Sequence, residues 1–359
     1  MQWSQVKGTV LLSPHNEEQE KNALLQAAGL IKAGELVAFP TETVYGLGAD
    51  ALNPASIAKI FEAKGRPADN PLIVHVDGIE QAAGLVAEIP REAVTLARYF
   101  WPGPLTIVLP KKSLVPDIVT AGLSSVALRV PSHPIALKLL RAAGRPIAAP
   151  SANISGSPSP TTAAHVLADL AGSFAAILDG GACSVGLEST VVSLLSSPPV
   201  LLRPGWVTRE MLEKTLKASI LDISSMDISE KPETPVLSPG MKYRHYAPRA
   251  PLFLVEAKGA ELCRQLLALS EGFIMQRRKP GLILSSESAV HVPSSSPAII
   301  EVLGARDDLT AVGQRLFYAL RKMDLHQVDV IIAEGFDETG LGIAVMNRLR
   351  KAATQIIKN

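Results

Sequence analysis

Short apolar runs alternate with amphipathic stretches through about the first 210 residues, and this pattern limits the chain to an α/β fold. Several predicted strands follow one another without an intervening helix, so we expect a mixed, twisted sheet flanked by helices. The predicted strands are 36–40, 72–76, 105–109, 126–130, 146–149, 175–178, 190–195 and 200–203, and the predicted helices are 17–33, 54–64, 91–100, 133–143, 162–170 and 208–217.

The segment from about 218 to 250 breaks this pattern, because it is rich in proline and has little periodicity. A second block of strands and helices follows it, in an order that predicts a smaller, open, parallel sheet of Rossmann-like type. The last predicted helix of this block is 342–357. We therefore predict a first domain over 1–215, a linker or lid over 216–250 and a second domain over 251–359.

Composition excludes several classes of protein. The chain has 359 residues, of which 47% are hydrophobic and 19% charged, and its net charge of +1 provides no global field for nucleic acid or for an anionic membrane. Cys183 and Cys263 are far apart in sequence, which disfavours a disulfide framework. No signal peptide and no membrane-spanning run is recognisable, so we expect a cytoplasmic protein without a membrane partner.

Three polar segments come where apolar runs end: PTETVYGLGAD (40–50), KGRPADNPLIVHV (64–76) and PSAN (150–153). We expect each to lie in a loop at the edge of the sheet. Gly46 and Gly48 of the first segment match G-x-G-x-x-A through Ala51. A dinucleotide fingerprint must pass directly from strand to helix, however, and here Asn53-Pro54 begins the helix too late. The alternative is a glycine turn in which two threonines bond to the local backbone.

Individual charged residues allow two interpretations. Lys64 and Arg66 stand at the end of a predicted helix, where cations complement the helix dipole, although an arginine fork and a lysine charge also suit phosphate oxygens. His75 lies in an apolar strand and could be a core residue with one hydrogen bond. Arg129 and Arg203 each interrupt or end an apolar strand, and a buried guanidinium requires a partner.

Hydroxyl and amide groups complete the inventory of candidate residues. Ser151 and Asn153 follow a buried run, and Ser189 enters another strand, so their polar groups must bond locally or to a ligand. The chain contains no G-x-S-x-G elbow and no G-x-x-x-x-G-K-[ST] loop, and its histidines lack metal-ligand spacing. This inventory favours an ATP-using enzyme that aligns its substrates.

The linker contains MKYRHYAPR (241–249), which mixes cations with aromatic side chains. Segments of this composition bind single-stranded nucleic acid, and they also serve as lids that close over a nucleotide. A solvated linker rarely contains two tyrosines, so we favour the lid.

Taken together, these motifs resemble the YrdC family of threonylcarbamoyl-AMP synthases in its two-domain Sua5 form. The resemblance covers nearly all of residues 20–250 in order and is less specific in the C-terminal block. The matching segments are PTETVYGLG, KGRP, NPLIVHV, WPGPLT, LRVPSHP, PSANISG, GLESTVV, RPG and SPGMKYRHYAP.

The resemblance implies a YrdC-like catalytic domain and a reaction. L-Threonine and bicarbonate form a carbamate that attacks the α-phosphate of ATP, and the resulting threonylcarbamoyl-adenylate serves the t6A modification of tRNA. It also implies Mg²⁺ that arrives with ATP, downstream tRNA threonylcarbamoyl transferase proteins as partners, and a possible weak contact with tRNA. The alternative is an RNA- or tRNA-binding module without catalysis.

The resemblance also implies roles for particular residues. The catalytic signature around the phosphates comprises Lys64, Arg66, Ser151 and Asn153. The ATP-binding residues are Arg66, Asn70, Ser125, Asn153, Thr161, Arg203 and Tyr243. The threonine-binding residues are Thr43, His75, Arg129, Ser151 and Ser189. Arg129 is the expected partner of the threonine carboxylate.

Overall fold

The computed structural model describes residues 3–224 and 245–358, which form two compact units. The first unit contains 3–155, 159–184 and 188–224, and the second contains 156–158, 185–187 and 245–358. Within the described ranges, no helix combines the length and the apolar character that crossing a lipid bilayer requires.

The first unit contains twelve strands and eight helices among its described residues. The strands are β1 Ser4–Val6, β2 Thr9–Leu12, β3 Val37–Phe39, β4 Gly46–Asp50, β5 Ile73–His75, β6 Leu105–Pro110, β7 Ser125–Arg129, β8 Ile147–Ala148, β9 Ala176–Leu178, β10 Thr190–Ser193, β11 Val200–Arg203 and β12 Leu221–Asp222. The helices are α1 Glu17–Lys32, α2 Pro54–Lys64, α3 Ile79–Leu85, α4 Arg91–Phe100, α5 Asp117–Thr120, α6 Pro134–Ala143, α7 Ala163–Leu170 and α8 Arg209–Leu216.

These strands form one mixed sheet in the order β1-β2-β9-β3-β4-β8-β5-β7-β6-β10-β11-β12. Parallel pairs such as β5 with β7 stand beside antiparallel pairs such as β6 with β7. The prediction of a mixed sheet flanked by helices is therefore confirmed.

Helix α2 begins as the sequence predicts. The Asn53 side chain accepts hydrogen bonds from the backbone N–H groups of Ala55 and Ser56, and Pro54 occupies the first turn. The helix ends at Lys64 because Gly65 adopts the left-handed conformation, with φ of 58°. This abrupt end places Lys64 and Arg66 on either side of a sharp turn.

The segment 40–50, predicted as a loop, is only partly one. Residues Gly46–Asp50 form β4, which pairs with β3 and β8. A Cβ atom at Gly48 would lie 2.7 Å from Ile147 Cγ2 and 2.7 Å from a ring carbon of Phe39. This glycine therefore serves close packing within a sheet and not a turn.

The two faces of the sheet carry different cores. The largest cluster packs Leu47, Val74, Leu128 and other residues of one face against helices that include α2, α4 and α7. On the opposite face, Val37, Phe39 and Ala149 pack against α1 and α6. A separate hydrophobic cluster of five buried residues lies farther along that second face: Ile73, Val108, Ala127, Val191 and Leu202.

The second unit is a parallel sheet of five strands with helices between them. Its strands are β13 Leu252–Glu256, β14 Pro280–Leu284, β15 Ile299–Val302, β16 Val330–Glu334 and β17 Gln355–Lys358, in the order β15-β14-β16-β13-β17. Its helices are α9 Gly259–Met275, α10 Ser286–Ala289, α11 Leu309–Leu325 and α12 Leu341–Ala352. The predicted parallel sheet is confirmed, but the predicted helix 342–357 is wrong beyond Ala352, because Gln355–Lys358 pairs with β13.

Candidate active site

The candidate site begins on one face of the large sheet. His75 and Arg129 end the parallel strands β5 and β7 and are register partners. Partners in register, and residues two positions apart on a strand, project from the same face, so Ser125 shares this face with them. Ile73 and Ala127 are also register partners on these two strands and contribute to the apolar cluster of this face. The predicted residues His75, Arg129 and Ser125 therefore share one face of the sheet with this apolar cluster.

Lys64 holds the PSAN loop from the end of α2. Its side chain is buried, with 2% of the residue exposed, and its Nζ donates to the Ser151 carbonyl at 2.5 Å and to the Asn153 carbonyl. The backbone N–H of Ser155 donates in return to the Lys64 carbonyl at 3.0 Å. Both of these acceptors are neutral main-chain carbonyl groups, which orient the ammonium group.

Arg66 lies beside this loop and contacts the next segment of the chain. Its Nη2 donates to the Pro71 carbonyl at 3.1 Å and to the Asn70 carbonyl at 3.3 Å. The Asn70 side chain is buried, and its Oδ1 has no hydrogen-bond partner among the described residues. The structure therefore brings together Lys64, Arg66, Asn70 and the PSAN loop.

Arg129 is engaged on three sides. Its Nε donates to the Gly103 carbonyl at 3.3 Å, its Nη1 donates to Thr43 Oγ1 at 2.9 Å, and its Nη2 lies 2.7 Å from Glu42 Oε1. Both members of the Glu42–Arg129 ion pair are buried, with 6% and 4% of their side chains exposed. The Nη2–Oε1 contact is an ion pair without hydrogen-bond alignment, so both N–H groups of Nη2 and one N–H of Nη1 have no hydrogen-bond partner within the described residues.

A third group joins the neighbouring strands β6, β10 and β11. Ser189 precedes β10, and its Oγ lies 2.7 Å from Thr106 Oγ1. Arg203 donates from Nη2 to the same Ser189 Oγ at 3.1 Å and from Nε to the Ser189 carbonyl at 3.0 Å. The predicted pair Ser189 and Arg203 is thus a directly bonded unit, and Thr106 belongs to it.

Three titratable side chains near the ion pair are uncharged at neutral pH. Burial, with the charge of Arg129 as the second cause, lowers the pKa of His75 to about 3. Burial also lowers the pKa of His133, against an opposing effect of Glu42. Burial, reinforced by Glu42, raises the pKa of the Cys183 thiol to about 12. His75 therefore contributes a neutral imidazole and not a cation.

Of the last two predicted site residues, the structure describes Thr161 but not Tyr243. Thr161 is buried before α7, and its carbonyl accepts a hydrogen bond from the Cys183 backbone N–H at 2.9 Å. The adjacent Pro160 carbonyl accepts from Tyr45 N, which links this segment to the 40–50 segment. Tyr243, with most of the proposed lid, lies outside the described residues.

Sequence reasoning missed Glu42 and Thr106. Glu42 stands between two threonines directly after a buried strand, and a carboxylate at such a position needs a cation. Arg129, a cation within an apolar strand, likewise needs a partner of opposite charge. A Glu42–Arg129 pair could therefore have been proposed from the sequence. Thr106 carried no comparable signal, since a threonine is an ordinary strand residue.

The arrangement combines cations that are held by carbonyl groups with a neutralised ion pair, neutral imidazole and buried hydroxyl groups. The described residues contain no group of three or more His, Cys, Asp or Glu side chains that could hold a metal ion. Such a surface can align an anion and a small polar molecule.

Comparison with known families agrees with this arrangement. Residues 29–205 match the Sua5–YciO–YrdC family, which carries the description "Telomere recombination". Residues 207–354 match the family described as "Threonylcarbamoyl-AMP synthase, C-terminal domain".

Full-length relatives are also similar. The threonylcarbamoyl-AMP synthase of Pyrococcus abyssi is 51% identical, with 91% of this chain and 93% of the relative covered. That of Bacillus subtilis is 48% identical, with 92% of each chain covered. The crystal structure of P. abyssi Sua5 complexed with L-threonine matches with a TM-score of 0.88 at 48% identity and covers 98% of this chain and 99% of that one. The chain therefore belongs to the Sua5/YrdC family of threonylcarbamoyl-AMP synthases, in its two-domain Sua5 form.

Proposed function

We propose that this chain makes L-threonylcarbamoyladenylate and pyrophosphate from L-threonine, bicarbonate and ATP. The neutral amine of threonine and bicarbonate form a carbamate and release water, and a carbamate oxygen attacks the α-phosphorus of ATP. The oxygen–phosphorus bond to pyrophosphate breaks, and pyrophosphate leaves. The curated relatives at about half identity over most of the chain bear the name of this activity.

The observation that carries the proposal is the partly used guanidinium of Arg129. It is oriented by Gly103, Thr43 and Glu42, and N–H groups on both Nη nitrogens stay available for a substrate carboxylate. The P. abyssi relative was crystallised with L-threonine, which fits an amino acid at such a position. Thr43, His75, Ser151 and Ser189 complete the threonine-binding group in this proposal.

The nucleotide is assigned to the other group of side chains. Lys64 and Arg66 supply positive charge beside the PSAN loop, where Ser151 and Asn153 stand. Cations held in advance at developing phosphate charge stabilise adenylyl transfer without reorganisation. Asn70, Ser125, Thr161 and Arg203 are assigned to the same nucleotide, and Tyr243 would join them from the segment outside the described residues.

Mg²⁺ enters this proposal as part of the MgATP substrate. Glu42, the carboxylate of the candidate site, is already paired with Arg129 and bonded to the backbone N–H of Ser132. It is therefore poorly suited to anchor a resident metal ion. A magnesium ion held mainly by substrate phosphates and water is a common arrangement in ATP-using sites.

The product would be consumed by tRNA threonylcarbamoyl transferase proteins in t6A formation, and any contact with tRNA would be weak. An RNA-binding module without catalysis is not favoured, because the net charge of +1 provides little of the electrostatic attraction on which such binding depends.

Omission experiments test the reaction. The purified full chain is incubated with MgATP, L-threonine and carbon-13 bicarbonate, and pyrophosphate release and product mass are followed. We expect pyrophosphate only when all three substrates are present, and a nucleotide product that carries the label. A pyrophosphate rate unchanged by omitting threonine or bicarbonate would refute the proposal. Tight, steeply salt-dependent tRNA retention without pyrophosphate release would support the RNA-binding alternative.

A further inference from the structure

Glu42 is placed rigidly at the threonine end of the candidate site. It follows β3 in a turn that Thr41 fixes, since Thr41 Oγ1 donates to the Val44 carbonyl at 2.6 Å and accepts from the backbone N–H groups of Thr43 and Val44 at 3.2 Å each. The Glu42 Oε2 atom accepts from the Ser132 backbone N–H at 3.1 Å, beyond the end of β7. The carboxylate is therefore held at both its backbone and its side-chain end.

The same carboxylate neutralises Arg129. Its Oε1 lies 2.7 Å from Arg129 Nη2 in a pair that is almost fully buried. The nearby His75, His133 and Cys183 are uncharged at neutral pH for the reasons given above. The Glu42–Arg129 pair is therefore neutral as a unit, whereas Arg203 reaches the same amino-acid end through its hydrogen bond to Ser189 Oγ.

A buried pair of this kind is matched by a ligand that carries both charges. A substrate carboxylate alone, placed on the free Nη N–H groups of Arg129, would bring a second negative charge beside Glu42 in a poorly solvated site, which is unfavourable. In an α-amino acid, one carbon atom separates carboxylate and ammonium. With the carboxylate on Arg129, the ammonium therefore lies close enough to bond to Glu42, whose two oxygens have about four acceptor sites.

We propose that Glu42 is a specificity-determining residue that selects a zwitterionic amino acid in the binding step before carboxylation, by pairing with the ammonium group while Arg129 pairs with the carboxylate. The nitrogen must then lose a proton and leave Glu42 before it reacts with bicarbonate. The inference deepens the proposed function and rests on it. It assigns the selection for an amine to Glu42, and it leaves Thr43, Ser151 and Ser189 to recognise the rest of the molecule.

Binding measurements separate this selection from catalysis. Calorimetry of the full chain, with and without a non-hydrolysable MgATP analogue, compares L-threonine with 2,3-dihydroxybutanoate of matching configuration, in which a hydroxyl replaces the ammonium. We expect wild type to prefer threonine by about tenfold or more, because a charge-assisted hydrogen bond is lost in the analogue. In Glu42→Gln we expect threonine to bind about 10- to 100-fold more weakly and the analogue to bind as well as, or better than, in wild type.

Glu35→Gln is the matched control, because Glu35 forms an ion pair with Lys59 whose side chains are 46% and 42% exposed. It should leave both affinities unchanged. Thermal unfolding and MgATP-analogue binding confirm that Glu42→Gln is folded. Retention of the wild-type preference in folded Glu42→Gln, or an equal loss of both ligands, overturns the inference.

The wild type provides a test that needs no variant. If it binds the hydroxy acid as tightly as threonine, the inference is wrong whatever the variant does. If wild type binds no threonine under either condition, the proposed function itself fails, so the two failures are distinguishable.

Discussion

The two ends of the candidate site differ in the described contacts of their cations. At the end assigned to ATP, Lys64 and Arg66 donate to main-chain carbonyl groups of Ser151, Asn153 and Pro71. At the end assigned to threonine, Arg129 is in a buried ion pair with Glu42. Carbonyl contacts orient a cation and leave its charge in place, whereas a carboxylate cancels it. The first arrangement suits a polyanion and the second suits a molecule without net charge.

The largest effect should come from removing the cation at the nucleotide end. Lys64→Met deletes the ammonium that holds the PSAN loop, so we expect the rate of pyrophosphate release to fall by about 100-fold or more. The matched control is Lys59→Met on the same helix, where the lysine is 42% exposed and pairs with Glu35. Near-normal activity of Lys64→Met would show that the reaction does not depend on this cation.

The second test changes the geometry of the threonine end while keeping its charge. Arg129→Lys loses the planar fork that bonds to Gly103, Thr43 and Glu42 together. We expect the KM for threonine to rise by about 10- to 100-fold, with little change in the KM for ATP. Arg145→Lys, at a half-exposed arginine 3.4 Å from Asp50, serves as the control. An unchanged KM for threonine would remove Arg129 from the amino-acid end.

A smaller effect concerns protonation beside Arg129. The folded-state pKa of His75 is about 3, below its ordinary value, so its neutral form contributes stability that is complete above about pH 6.5 and is lost as the pH falls toward 3. Between pH 7 and pH 5, wild type should lose about 2 kcal/mol more unfolding free energy than His75→Gln.

Urea unfolding followed by tryptophan fluorescence measures this difference in the first unit, because Trp3, Trp101 and Trp206 all belong to it. Parallel loss of stability in wild type and His75→Gln would mean that His75 is not held neutral. Since the imidazole stays neutral through this range, it should also add no inflection to the pH profile of activity.

Periodicity predicted most of the fold, and its failures have physical causes. Strand β4 was missed because GLGAD has low strand propensity, and only its pairing with β3 and β8 makes it a strand. The C-terminal residues Gln355–Lys358 were assigned to a helix because an amphipathic pattern precedes them, but β13 offers a free edge to pair with. In both places, tertiary context overrides local sequence.

The candidate site was partly predictable for the same reason. Ser189, Arg129 and Arg203 stand at strand ends, and Lys64 and Arg66 stand at the end of α2, where a single sequence shows them clearly. The sequence could not show which residue pairs with each charge. Glu42 and Arg129 are distant in sequence and come into contact because the fold places the segment after β3 beside the end of β7. The resemblance to a family supplied residue identities, and the contacts supplied the difference between the two ends.

The division of the site is tested most directly by measuring KM for both substrates in Lys64→Met and Arg129→Lys under identical conditions. Our account predicts a crossed result, in which the first variant mainly raises the KM for ATP and the second mainly raises the KM for threonine. If both variants raise both values to the same extent, the two ends do not act separately, and the account is contradicted.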